Sequence, residues 1–334
     1  MGKTLLIAIV GCFLFLAPND ACAQDPLFTQ FYATTLYTNP AMAGTAQFNR
    51  GGGRAVLNYR NQWPSLPGTY VTSTISYDQH FDKIKGGLGL LVLRDIAGEG
   101  LLTSTHAGAT YSHHVSLNDD VYMRFGVEGQ IMQRALDWSR LFWGDQIDAT
   151  RGFVASTSEP LGPSTITSPN VNAGWMIYTK SFYGGIAVHN VSEPVQSFYG
   201  DPDAKLPRRY TVHAGYALPL VRDQSADSIG LRPNVLVMKQ GGFTQFNASC
   251  YFNLNWLIAG VGVRLVNTQL SDLESYLGSI GYRGKRFRMA YSYDLTLDEK
   301  RFTTRGSHEV SIAYQWCSKK DSKKWRSDEC LAFW

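Results

Sequence analysis

Few residues in this chain stand at spacings that chemistry needs. His113 and His114 are adjacent, so on a strand their rings would point to opposite faces, a poor arrangement for gripping one metal ion. Gly281-Tyr282-Arg283-Gly284-Lys285 has the wrong spacing for a phosphate loop. Gly87-x-Gly89 falls in a strand-like run and not at a strand-to-helix turn, which dinucleotide binding requires. Asp201-Pro202-Asp203 lacks the remaining ligands of a calcium loop. No G-x-S-x-G elbow, Walker A loop or H-E-x-x-H pair occurs. The sequence therefore predicts no catalytic residue, no cofactor and no metal. It leaves binding, transport and secretion as the classes to weigh against one another.

The elements that would carry such roles are strands. From Thr244 to Leu254, Phe246, Ala248, Cys250, Phe252 and Leu254 share one face, and Gln245, Asn247, Ser249, Tyr251 and Asn253 share the other. Period-2 alternation is a strand signal. Runs of about ten residues, apolar outward and polar inward, suit strands that cross a membrane in a closed barrel. Only a helix or a closed barrel satisfies every backbone group in lipid. Aromatics at 13% and 32 glycines fit interface girdles and tight strand packing better than a helical enzyme. The slightly negative mean hydropathy does not oppose this, because barrel strands hide their apolar residues in alternation.

The N-terminus sets the compartment. Lys3, the apolar run from Leu5 to Ala17, and the small-residue site Ala21-Cys22-Ala23 read as a secretory signal peptide over residues 1–23, cleaved between Ala23 and Gln24. A loose lipoprotein box at Ile9-Val10-Gly11-Cys12 is opposed by the apolar run continuing through Leu16. The net charge of +4 says little about partners, but the basic residues form no stripe, so no nucleic-acid partner is expected. Of the cysteines beyond the leader, Cys250 falls on an apolar strand face. Cys317 and Cys330 flank a short tail and could pair in an oxidising compartment. The basic run from Lys319 to Lys324 reads as a solvated stretch or a contact with an acidic surface.

The expected fold is all-β: a transmembrane antiparallel up-and-down barrel of about fourteen strands, with N- and C-termini periplasmic. The strands are predicted at 54–62, 69–81, 84–96, 101–116, 120–136, 168–179, 181–192, 206–220, 227–239, 243–255, 256–267, 272–284, 286–297 and 307–316. The run from Leu88 to Leu93 is apolar on both faces and fits this pattern worst. Short connections then alternate with long ones at 137–167, 195–205 and 298–306, as short periplasmic turns and long outer loops do. Arg54, Arg60, Arg124, Glu128, Arg232, Arg264, Arg286, Arg288, Asp294 and Glu309 are predicted to face inward. Such a lining suits either an anion-tinged pore or salt-bridge packing that stiffens the barrel. Residues 24–50 form a separate segment, read as a lumen plug or a periplasmic docking element. Residues 51–316 form the barrel, and 317–334 a periplasmic tail.

Both ends of the mature chain resemble one family. Gln24-Asp25-Pro26-Leu27-Phe28-Thr29-Gln30-Phe31 leads into Asn39-Pro40-Ala41-Met42-Ala43-Gly44. Arg60-x-Gln62-Trp63 follows, and Tyr291-Ser292-Tyr293-Asp294 precedes Gly306-Ser307-His308-Glu309. This pattern is similar to that of the PorP/SprF outer-membrane proteins of Bacteroidetes, with Asn39, Pro40, Ala41, Gly44, Tyr293, Asp294 and Glu309 at the motif positions. The resemblance implies a non-enzymatic outer-membrane barrel of the type IX secretion system. It would assist secretion or surface anchoring of a dedicated adhesin-like cargo with a C-terminal sorting domain, in some members for gliding motility. Its partners would be that cargo, other type IX components and outer-membrane lipid. The alternative is a diffusion channel for small solutes. Trp138, Phe142, Trp143, Phe153, Phe198 and Tyr199, on the long loops, are candidate partner-binding residues, or else rings that pack the loops together.

Overall fold

The computed structural model describes residues 25–46, 52–68, 70–98, 101–148, 150–153, 156–220, 229–266, 272–284, 286–297 and 304–316. Its wall is built from long antiparallel strands: β1 (Gly53–Gln62), β2 (Tyr70–Phe81), β3 (Gly86–Ala97), β4 (Leu102–Ser116), β5 (Tyr122–Leu136), β6 (Thr165–Tyr178) and β7 (Phe182–His189). It continues with β8 (Arg209–Tyr216), β9 (Gly230–Gln240), β10 (Phe243–Leu254), β11 (Leu257–Val266), β12 (Asp272–Arg283), β13 (Phe287–Thr296) and β14 (Ser307–Trp316). The first strand pairs with the last, from Gly53 opposite Trp316 to Gln62 opposite Ser307. The sheet is thereby closed, and it has no edge to present unpaired backbone to lipid. The short strand Leu218–Pro219 extends the β8–β9 connection.

Each strand divides its residues as the alternation predicts. On β10, Gln245, Asn247, Ser249, Tyr251 and Asn253 are buried inside, while the intervening residues face out. The outer face carries Leu57, Ile75, Leu90, Val127, Ile131, Val212, Val261 and Ile280, all exposed. Exposed aromatics gather toward the two rims, with Tyr59, Tyr70, Tyr210 and Tyr276 at one and Trp256, Tyr282, Phe287 and Tyr314 at the other. An apolar band between two aromatic belts is the surface of a barrel that sits in a bilayer.

The connections fall into two sets. At the rim where β1 begins they are mostly tight, such as 117–121, 179–181 and 255–256, although 217–229 is longer. At the opposite rim lie 137–164, which carries the small hairpin Ile147–Asp148 with Gly152–Phe153, and 190–208. We call these the turn rim and the loop rim. Several predicted boundaries need correction. β3 starts at Gly86, because Asp82–Ile84 form a 3-10 turn that Lys85 ends at φ 47°. β7 stops at His189, because Asn190 turns the chain at φ 57°. β8 ends at Tyr216, before Leu218–Pro219, and β6 begins earlier than expected, at Thr165. Arg286 precedes β13 and is exposed at the turn rim, so it does not line the lumen as expected.

Candidate functional site

The interior of the barrel is occupied by the chain's own residues 25–46. Nearly all of them are buried, and only Asp25 among them is charged. The segment does not join the sheet, and its chain turns at Pro40, which lacks an N–H and fixes its own φ. It folds instead as one helical turn, Thr35–Thr38, followed by a 3-10 turn, Pro40–Met42. Asn39 caps the second turn through its Oδ1, which accepts from Ala41 N at 2.8 Å. Gly44 then adopts φ +71°, a conformation that favours glycine. The thread runs from the loop-rim half, where Asp25 meets Arg209 and Gln240, to the turn rim, where Gly44 meets Asp78.

Two charged clusters of the wall hold the thread. In the loop-rim half, Arg60 reaches Asp294 at 2.7 Å and Glu309 at 3.1 Å, and Arg264 reaches Asp294 at 2.9 Å. Thr29 and Gln30 sit on this cluster. Their backbone N–H groups donate to the Glu309 carboxylate at 2.7 and 3.1 Å, and the Thr29 hydroxyl lies 2.7 Å from both Asp294 oxygens. Near the turn rim, Arg54 pairs with Asp78 at 2.9 Å and donates to Thr35 Oγ1 at 2.8 Å. Asp78 also accepts from Gly44 N at 2.9 Å. Arg124 donates to the carbonyl oxygens of Ala43 and Gly44. Buried charges of this kind persist only when paired and hydrogen-bonded.

Rings and small residues complete the fit. Tyr32 packs edge-on against Tyr251 at 4.7 Å. Burial raises the Tyr32 phenol well above its usual range, with Tyr251 and Glu309 adding to the shift. Tyr37 lies under the Arg209 guanidinium, 4.2 Å from the ring centroid. Burial pushes its phenol up as well, against the pull of Arg209. Leu36 and Ala43 pack on Leu91, and a side chain at Gly89 would meet Leu36 at 2.9 Å. Leu91 and Leu93 are buried against the interior, while Leu88, Leu90 and Val92 face out. The two-sided apolar run of β3 thus has lipid on one face and the threaded segment on the other.

The sequence-predicted residues divide accordingly. Asn39, Pro40, Ala41, Gly44, Asp294 and Glu309 all meet at the interface between thread and wall. Tyr293 does not. It faces outward, donates to Arg305 O at 3.2 Å and lies 5.1 Å from the His308 ring. Arg124, predicted to face inward, and Gln30, from the opening motif, also hold the interface; Asp78 and Arg209 do so as well, but they occur singly in alternating strands and no spacing marks them. Of the loop aromatics, Trp138 stacks on Trp143 at 6.3 Å and meets Phe198 and Tyr199 edge-on. Phe142 is 75% exposed and Tyr199 60% exposed. The Phe153 side chain, the Ala23–Gln24 junction, Cys317 and Cys330 lie outside the described residues. Among the described residues no cluster of His, Cys, Asp or Glu could hold a metal ion. No described helix is long and apolar enough to cross a membrane, which says nothing of strands.

Residues 21–314 match the family model described as type IX secretion system membrane protein PorP/SprF. The chain belongs to this family. The PorP/SprF barrel also resembles solved barrels at low identity. It is 11% identical to a deletion mutant of the monoaromatic hydrocarbon channel TodX, covering 84% of this chain and 92% of that one, with a TM-score of 0.44. For a FadL homologue of Pseudomonas aeruginosa the identity is 13%, the coverage 85% and 91%, and the TM-score 0.43. For the toluene transporter TodX of Pseudomonas putida they are 9%, 89% and 98%, and 0.42. No curated protein matches the sequence.

Proposed function

We propose that this PorP/SprF protein is an outer-membrane barrel that helps export or anchor one dedicated surface protein, and that it performs no chemistry. The observation that carries this reading is the filled lumen. Residues 25–46 take the space through which a solute would pass, and wall ion pairs hold them there. That favours a partner-binding barrel over an open diffusion channel. The turn rim then faces the periplasm and the loop rim faces out, because outer-membrane barrels keep their long loops outside. The cargo contact lies on the loops 137–164 and 190–208. Trp138, Trp143, Phe198 and Tyr199 brace these loops against each other, and the exposed faces of Phe142 and Tyr199 meet the partner, together with exposed Ile147 and Leu161. Exposed rings on a braced support lose little entropy on binding and often anchor interfaces.

Gene deletion followed by surface proteomics tests the role. Loss of one sorting-domain protein, with general type IX secretion intact, is the expected result. An unchanged surface with altered uptake of small solutes would overturn it. In the same strain, a version lacking native cysteines and carrying single cysteines tests the orientation. An impermeant thiol reagent should label Ser158→Cys and Asp203→Cys on whole cells, but not Asn118→Cys or Lys180→Cys.

A further inference from the structure

The thread and the wall divide the work of binding very unequally. Among the described residues buried inside the barrel, the wall supplies Arg54, Arg60, Arg124, Arg209, Arg264, Arg288, Asp78, Glu128, Asp294 and Glu309, whereas residues 25–46 supply only Asp25. The pairs Arg54–Asp78, Arg60–Asp294, Arg60–Glu309 and Arg264–Asp294 each join two wall residues. Among the described residues, Arg209–Asp25 alone joins wall to thread. Withdrawal of the thread would therefore leave those four wall pairs intact, and the large cost of stranding a buried charge would not arise for them. A plug that belongs to the fold as core would be expected to complete the charge network. Here those four pairs are complete without it, whereas Arg209 would give up Asp25 and Arg124 the carbonyls of Ala43 and Gly44; apart from Asp25, the thread brings amides, carbonyls, hydroxyls and apolar side chains.

The receptor surface is also shaped to one sequence. Asn39 Nδ2 lies 3.1 Å from Trp175 O and 3.2 Å from Ile186 O, on β6 and β7, and 3.0 Å from His213 Nε2 on β8. Beneath it the wall is floored with glycines. A Cβ added at Gly174 would collide with Asn39 Oδ1, and one at Gly126 with Pro40 and Ala41. At Gly87 it would strike Ala43 O, and at Gly44 itself it would come within 2.7 Å of Gly87 Cα. This trough accepts backbone pressed against backbone, so it suits small residues around a proline turn. Arg124 and Ser112 read the end of the motif by donating to Ala43 O.

We propose that the lumen is a peptide-binding site, and that residues 25–46 are its resident ligand, separable from the barrel and able to rebind. The ligand class is a small-residue peptide with an Asn-Pro-Ala-x-Ala-Gly turn and no charge but a single carboxylate near its start. Recognition is concentrated at that turn on the glycine floor. The site could then be occupied in exchange by another chain presenting the same turn.

The test uses the full-length folded barrel in detergent, with a site-specific protease sequence replacing residues 47–50. After cleavage, confirmed by mass, a fluorescent synthetic peptide of residues 25–46 is added in excess. The labelled peptide should become bound to the cut barrel and not to the uncut one, and unlabelled peptide should chase it off. The Asn39→Ala peptide should compete at least tenfold more weakly, and a scrambled peptide should not compete. A cut barrel carrying Gly126→Val should take up label at least tenfold more weakly, and the Asn39→Ala arm stands alone if that variant does not fold. Three results would overturn the proposal. They are loss of the folded barrel on cleavage, a cut segment that never exchanges, and equal competition by the scrambled peptide.

Discussion

At the scale of single residues, Asp294 has the highest stake, because it answers two arginines and a threonine at once. With Asp294→Ala, Arg264 loses its ion pair with Asp294 and Arg60 keeps its pair with Glu309. Removing one member of a buried charged cluster costs about 3–5 kcal/mol. Thr29→Val removes hydroxyl contacts to Asp294, Arg60 and Arg264 but leaves the ions paired, so its cost should be about 1–3 kcal/mol. Urea unfolding in lipid vesicles should rank the two variants in that order. An Asp294→Ala barrel no less stable than Thr29→Val would show that the cluster does not hold the thread. The sequence picks out Asp294 and Glu309 through the closing motif, yet it gives no sign that Arg60 and Arg264 converge on them. Those arginines sit singly on strands far apart in the chain, and only barrel closure and register bring them together.

At the scale of elements, the strands are legible and their ends less so. Alternation along β10 and β14 assigns inward and outward residues as the structure has them, because lipid and lumen demand opposite chemistry at every step. Boundaries depend on local backbone choices, such as the positive φ of Lys85 and Asn190, which alternation does not encode. β3 is the instructive strand. Its inner face is apolar at Leu91 and Leu93 because it meets Leu36 and Ala43, a neighbour that strand periodicity alone cannot reveal. The lipid face makes a depth-dependent prediction. Val261, 71% exposed in the middle of β11, should tolerate arginine poorly, at about 2–4 kcal/mol, whereas Tyr282→Arg in the turn-rim belt should cost about 0–1 kcal/mol for the charge itself. Folded-band migration before and after heating, across a urea series, checks the difference. Equal costs would place the bilayer elsewhere on the wall.

At the scale of the whole molecule, the sequence shows a closed barrel with unequal rims, because strand spacing and connection lengths both repeat along the chain. Whether residues 24–50 fill the lumen or dock elsewhere is a matter of three-dimensional fit, and the sequence leaves it open. The filled interior predicts an electrically quiet protein. Fourteen strands enclose less space than the sixteen to eighteen of open porins, and residues 25–46 occupy much of it. Planar-bilayer recordings of the full chain should show no steady steps of porin size, and stable steps of that size would refute a sealed lumen. The seal also imposes an order in time. Thr29 and Glu309 meet across 280 positions of chain, so the segment that leaves the ribosome early must wait for the strand that leaves it late. Contacts of such long range form slowly, since the loop they close must first be gathered. Until β14 docks on β1, the apolar thread of Leu36, Phe31 and Tyr32 has no finished lumen to enter. A carrier that shields a nascent barrel on its way to the membrane must therefore shield a loose and sticky amino end as well.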